Sequence, residues 1–122
     1  MAKKILVVDD EADLLLMVSR GLEKRGYEVS DAKNGRDALA LARQLVPDLL
    51  ILDIYLPFMN GDEVAREVKQ DEKLKHIPVI LISSVSEGLT EKVDESGADA
   101  FLHKPFDLEE LVSLVKRYCP LP

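Results

Sequence analysis

A chain of 122 residues is long enough for one domain that buries roughly two-thirds of its unfolded surface in a single core, and too short for a second. Its 23 acidic against 16 basic residues leave a formal charge of -7, which argues against direct binding to nucleic acid or an anionic membrane, since neither attracts an acidic surface. The lone Cys119 excludes an internal disulfide, and there is no secretory apolar segment and no apolar stretch long enough to span a bilayer, so a cytoplasmic protein acting through protein contacts is expected.

The first element is the apolar run Ile5-Leu6-Val7-Val8, closed by Asp9-Asp10-Glu11. Apolar on both faces, it reads as a strand inside a parallel sheet. Leu14, Met17, Val18 and Leu22 then recur at helical spacing, and Gly26 ends that helix as a left-handed cap would. Tyr27 to Ala32 is a second strand, polar enough at Glu28, Ser30 and Asp31 to suit an edge. After Asn34-Gly35, a second helix carries Ala38, Leu41, Ala42 and Leu45. Leu49-Leu50-Ile51-Leu52 is the third strand and runs into Asp53, and Asn60-Gly61 precedes a third helix bearing Val64 and Val68. Val79-Ile80-Leu81-Ile82 is the fourth strand, followed by Ser83. From Ser84 to Ser96 only Leu89 and Val93 form an apolar stripe and Gly88 interrupts, so a fourth helix there is marginal and the order of that face is left open. Ala100-Phe101-Leu102 is a weaker fifth strand before Lys104, and Leu108, Leu111, Val112 and Val115 mark a last helix that Cys119-Pro120-Leu121-Pro122 stops.

Strand and helix thus alternate through five units, which predicts an α/β fold: a flavodoxin-like (βα)5 sandwich around a five-stranded parallel sheet. With the second strand at an edge, right-handed crossovers favour the order 2-1-3-4-5. Asp9, Asp10, Asp53, Ser83 and Lys104 each stand just after a strand run. The carboxyl ends of parallel strands point the same way, and ligands bind in the crevice where strand order reverses. Residues distant in sequence therefore converge there as three carboxylates, a hydroxyl and an ammonium. A divalent cation is the simplest reason to keep three crowded carboxylates ionised, and the ammonium and hydroxyl point to an anionic guest, a phosphoryl group above all.

Each residue also has a plainer reading. A lone Asp after a strand is commonly a turn or helix N-cap, Asp9 and Asp10 with Glu11 and Asp13 complement a helix dipole, an isolated Lys is usually solvated, and Ser83 could end a strand. Their coincidence at one edge of one sheet favours the site.

The pieces Val7-Val8-Asp9-Asp10-Glu11, Pro47-Asp48-Leu49-Leu50-Ile51-Leu52-Asp53, Leu56-Pro57 with Asn60-Gly61, Ser83, Gly97-Ala98-Asp99 and Lys104-Pro105-Phe106, in this order and spacing, resemble the receiver domain of two-component response regulators, chemotaxis receivers among them. The match runs from about Lys4 to Tyr118, and the chain reads as one receiver domain over residues 1–122. The resemblance implies the same strand order and a role for each residue. Asp53 would take a phosphoryl group from a phosphohistidine as an aspartyl phosphate. Asp10 would bind Mg²⁺ directly, Asp9 more through water, with Asp53 and the backbone carbonyl of Tyr55 completing the protein's ligands. Lys104 and Ser83 would receive phosphoryl oxygens, Lys104 pairing with Asp53 beforehand and preceding a cis bond to Pro105. Ser83 and Phe101 would be the switch residues, Phe101 being equally well explained by core packing. Tyr55 and Val85 would flank the hydrolytic water, which implies slow dephosphorylation. His76 and His103 are expected to be exposed rather than to act. The implied partners are a sensor histidine kinase or phosphotransfer protein and a downstream protein target, with a phosphorylation-dependent homodimer left open.

Two other functions fit less well. A Mg²⁺-dependent phosphatase of the haloacid dehalogenase type needs a second acid two residues after the nucleophile, where this chain has Tyr55. A flavodoxin-like cofactor binder needs a first loop that attracts phosphate, and Asp9-Asp10-Glu11 repels it.

Overall fold

Strand and helix alternate five times in the computed structural model, which describes residues 2–85 and 88–122. In chain order the elements are β1 (Lys4–Val8), α1 (Ala12–Glu23), β2 (Glu28–Ala32), α2 (Gly35–Leu45), β3 (Leu49–Asp53), α3 (Gly61–Gln70), β4 (Val79–Ser83), α4 (Leu89–Ser96), β5 (Ala100–His103) and α5 (Leu108–Tyr118). The strands pair in parallel in the order β2-β1-β3-β4-β5. That is the expected order, and its reversal lies between β1 and β3, where crossovers leave in opposite directions.

Successive strand residues face opposite sides of a sheet, so each central strand supplies two cores. Ile5, Val7, Ile51 and Ile80 pack with Leu15, Val18 and Leu22 of α1 and Leu111, Val112 and Val115 of α5. Leu6, Val8, Leu50, Leu52, Val79 and Leu81 pack with Ala38 and Ala42 of α2 and Val64, Ala65 and Val68 of α3. Every residue of β3 and β4 is buried, whereas β5, at the other edge from β2, is only half-buried.

Several details depart from the sequence pattern. In α1 the large buried apolar side chains are Leu15, Val18 and Leu22, while Met17 of the expected stripe is 42% exposed. The second strand starts at Glu28 rather than Tyr27, whose buried ring instead donates its hydroxyl to the Cys119 carbonyl at 2.8 Å. Gly26 has the expected left-handed backbone, at φ 98°, in the turn after α1. The fourth helix forms but is short, eight residues from Leu89, with Leu89 and Val93 only partly buried against the core. Within the stretch from Ser84 to Ser96, Ser86 and Glu87 lie outside the described residues.

Candidate functional site

The carboxyl ends of β1, β3, β4 and β5 meet at one edge of the sheet. Asp9 and Asp10 follow β1, Asp53 ends β3, Ser83 ends β4 and Lys104 follows β5. Neighbouring strands hold them in step: Asp53 lies opposite Ile82, and Ser83 lies opposite His103. The Lys104 amide also donates to the Ser83 carbonyl at 2.8 Å, so the lysine's backbone is fixed to the serine's.

Carboxylate oxygens of Asp9, Asp10 and Asp53 lie within 4.8 Å of one another. Asp9 is fully buried and Asp53 is buried, while Asp10 is open to solvent. Lys104 Nζ serves as counter-ion for three acids, 2.9 Å from Asp9 Oδ2, 3.1 Å from Glu11 Oε1 and 3.2 Å from Asp53 Oδ2. Asp9 Oδ2 nevertheless lacks an aligned hydrogen-bond donor among the described residues. Its other oxygen accepts the Glu11 amide at 2.9 Å. A buried carboxylate oxygen with no aligned donor, beside two further carboxylates, suits a hard divalent cation.

Charges oppose one another at Asp53. Burial and the neighbouring Asp9 charge push its carboxyl above the usual aspartate range, against Lys104 and a long contact from the Tyr55 amide at 3.4 Å, which lower it. Burial depresses the Lys104 ammonium, but its close ion pairs with Asp9 and Glu11 and the Asp53 charge outweigh it and raise the group above its ordinary value. The pocket thus favours the charged form of Lys104 and disfavours that of Asp53.

Ser83 is fully buried, and its Oγ accepts the Val85 amide at 3.1 Å. Among the described residues that leaves the hydroxyl hydrogen free to donate. The Lys104–Pro105 bond is cis. Beside it an open cleft of about 330 Å³ is lined by Glu11, Leu14, Ser84, Lys104, Pro105 and Phe106. Close packing builds the other wall: a β-carbon on Gly61 would lie 2.0 Å from the Asp53 carbonyl oxygen, so the start of α3 rests directly on the Asp53 backbone.

Of the expected residues, Asp9, Asp10, Asp53 and Lys104 come together, with Ser83 at the adjoining strand end. Tyr55 and Val85 are both exposed, and Phe101 is half-buried against the core on the α4 side. His76 and His103 are exposed, as expected. Glu11 was legible only as a helix-dipole residue, yet it is a direct partner of Lys104. Phe58 carried no signal: it is 76% exposed, has φ 68° and stacks on the Arg36 guanidinium at 5.1 Å.

The model of the response regulator receiver domain matches residues 5–116. The chain is 39% identical over 115 residues to the DNA-binding dual master transcriptional regulator RpaA of Synechocystis, covering 93% of this chain but only 47% of RpaA. It is 34% identical over 119 residues to the polar-differentiation response regulator DivK of Brucella anthropi, covering 97% of each. Its fold superposes with a TM-score of 0.89, at 26% identity, on the receiver domain of the sensor histidine kinase PA1611 from Pseudomonas aeruginosa, a structure with magnesium coordinated in its active-site cleft, covering 97% of this chain and 98% of that one.

Proposed function

The chain belongs to the response regulator receiver family of two-component signalling, and we propose that Asp53 is its phosphoryl acceptor, with Asp9 and Asp10 as metal ligands and Lys104 and Ser83 as the groups that receive the transferred oxygens. One observation carries this reading: Asp53 is a buried carboxylate bonded to an ammonium inside a cluster of three acids. Receiver domains bind Mg²⁺ in this acidic pocket. Here the three Asp carboxylates and the Tyr55 carbonyl would hold it, and bound there it would neutralise charge that resists an incoming phosphoryl dianion.

In the transfer an Asp53 oxygen bonds to phosphorus as the bond from phosphorus to the donor histidine nitrogen breaks, its electron pair returning to the imidazole. Lys104 then exchanges its bond to Asp53 for one to a phosphoryl oxygen, and the Ser83 hydroxyl donates to another. The transfer replaces the single Asp53 charge by the larger charge of the phosphoryl group, which Lys104 and a bound cation would offset.

The family acts through a histidine kinase or phosphotransfer protein upstream and a protein target downstream. For this chain the cleft beside Lys104 is the proposed approach for the donor, and the half-buried Phe101 face, with Leu89 and Val93, is the proposed switching surface, a second phosphorylated copy being one occupant. The reading makes residues 1–122 one receiver domain. No described helix is long and apolar enough to cross a membrane. RpaA is named for DNA binding, and this chain spans less than half of it, so that activity is not carried over.

Incubation with acetyl phosphate and Mg²⁺ should add one phosphoryl mass, and Asp53→Asn should abolish it. Uptake at the wild-type rate in Asp53→Asn would overturn the assignment.

A further inference from the structure

Lys92 lies outside the pocket, yet its ammonium is held between two groups anchored to Asp53. It stands on α4 with Nζ 3.8 Å from Asp62 Oδ2 and 5.7 Å from the centre of the Tyr55 ring. The Asp62 side chain is only 9% exposed, and its Oδ1 has no hydrogen-bond partner among the described residues. A buried carboxylate so poorly paired draws a cation strongly. Asp62 follows Gly61, whose amide donates to the Ile54 carbonyl at 2.6 Å and whose α-carbon packs on the Asp53 carbonyl. Tyr55 is two residues from Asp53, with its amide facing Oδ1 and its side chain partly open to solvent. The backbones that carry both partners of Lys92 are therefore tied to that of Asp53, whereas Lys92 rides on the shortest helix, in which only Ser96 is buried.

We propose that Lys92 is a positioning residue for hydrolysis of the phosphorylated form: pinned by Asp62, it holds the Tyr55 ring beside the Asp53 phosphoryl group, so the packing of α4 sets how long that group persists. The inference rests on Asp53 being the acceptor. In hydrolysis a water oxygen bonds to phosphorus as the bond from phosphorus to Asp53 breaks. The electron pair returns to the carboxylate, one water proton stays on the released hydrogen phosphate and the other passes to solvent. A ring held against the phosphoryl group obstructs the water's line of approach, and a released ring does not.

The test is to phosphorylate the full chain with acetyl phosphate, remove the donor and follow loss of the phosphoryl mass at fixed Mg²⁺. Lys92→Gln should lose it about two- to fivefold faster than wild type, the size a partly exposed cation–π contact supports. Lys92→Met, which keeps the apolar stem, should match it, so that lost helix packing is not the cause. Lys92→Arg should hold the wild-type rate, because a guanidinium serves both contacts. Tyr55→Ala should be fast by itself, and adding Lys92→Gln to it should change nothing further. Wild-type decay in both Lys92→Gln and Lys92→Met, or an undiminished Lys92 effect without the Tyr55 ring, would overturn the proposal. Failure of wild type to take up phosphate on Asp53 would instead sink the acceptor reading beneath it.

Discussion

Asp53 and Lys104 share one bond, and both cost the fold stability as pH rises, but in different pH ranges. The Asp53 carboxyl is raised by burial, so the folded chain binds its proton more tightly than the unfolded one. Stability therefore falls as pH rises from the ordinary aspartate value through the raised one, and stays lower above it. In the metal-free protein Asp53→Asn should melt higher than wild type at neutral pH. The gap should close as the pH falls below the ordinary aspartate value, which thermal melts across the acid range would check; a variant that melts lower at neutral pH would refute it. The Lys104 ammonium is also raised, by its acid partners, so its contribution is complete below the ordinary lysine value and is lost only as pH rises through the folded value. Lys104→Met should then cost about 1.5–3 kcal/mol at neutral pH, the range for hydrogen bonds to charged groups, and urea titration would read it. The five anchors were legible because each interrupts the chain where a strand run stops. The threefold pairing of Lys104 was not, because whether Glu11 reaches it depends on the distance between the ends of β1 and β5, and no spacing in the chain encodes that distance.

Elements were legible in proportion to the contrast in their patterns. β1, β3 and β4 are continuous apolar runs bounded by polar residues, and no other element fits them. α1 was readable as a helix but not in phase, since Leu14, Leu15, Leu16, Met17 and Val18 are apolar without a break and any stripe can be drawn through them. The structure selects Leu15, Val18 and Leu22 by how α1 lies on the sheet and leaves Leu16 and Met17 exposed. α4 was expected to be marginal and is short. The start of α3 is the opposite case, built with no free space at Gly61. Gly61→Ala should force α3 away from Asp53 at a cost of about 1–3 kcal/mol and slow phosphoryl uptake at the same time. Stability and uptake rate measured on one preparation would check this, and an unchanged uptake rate would separate the helix from the site.

On the scale of the whole molecule, the pocket exists only because the sheet is complete: its acids come from two strand ends, its hydroxyl from a third and its ammonium from beyond a fourth. The unfolded chain scatters these groups and offers no comparable cation site. Binding to the folded state alone must then stabilise the entire domain, by about 2.7 kcal/mol when free cation exceeds its dissociation constant a hundredfold. Mg²⁺ should raise the single melting transition with a logarithmic dependence on concentration, and a chelator should reverse the rise. Asp10→Asn separates this linkage from general charge screening. Asp10 is exposed, so the variant folds, and losing one of three crowded charges should leave its metal-free melting point at or above that of wild type. The Mg²⁺ increment, in contrast, should shrink sharply, because a neutral amide is a poorer ligand for a hard cation than a carboxylate. An increment equal to that of wild type would show that the cation binds elsewhere on this acidic surface rather than among Asp9, Asp10 and Asp53.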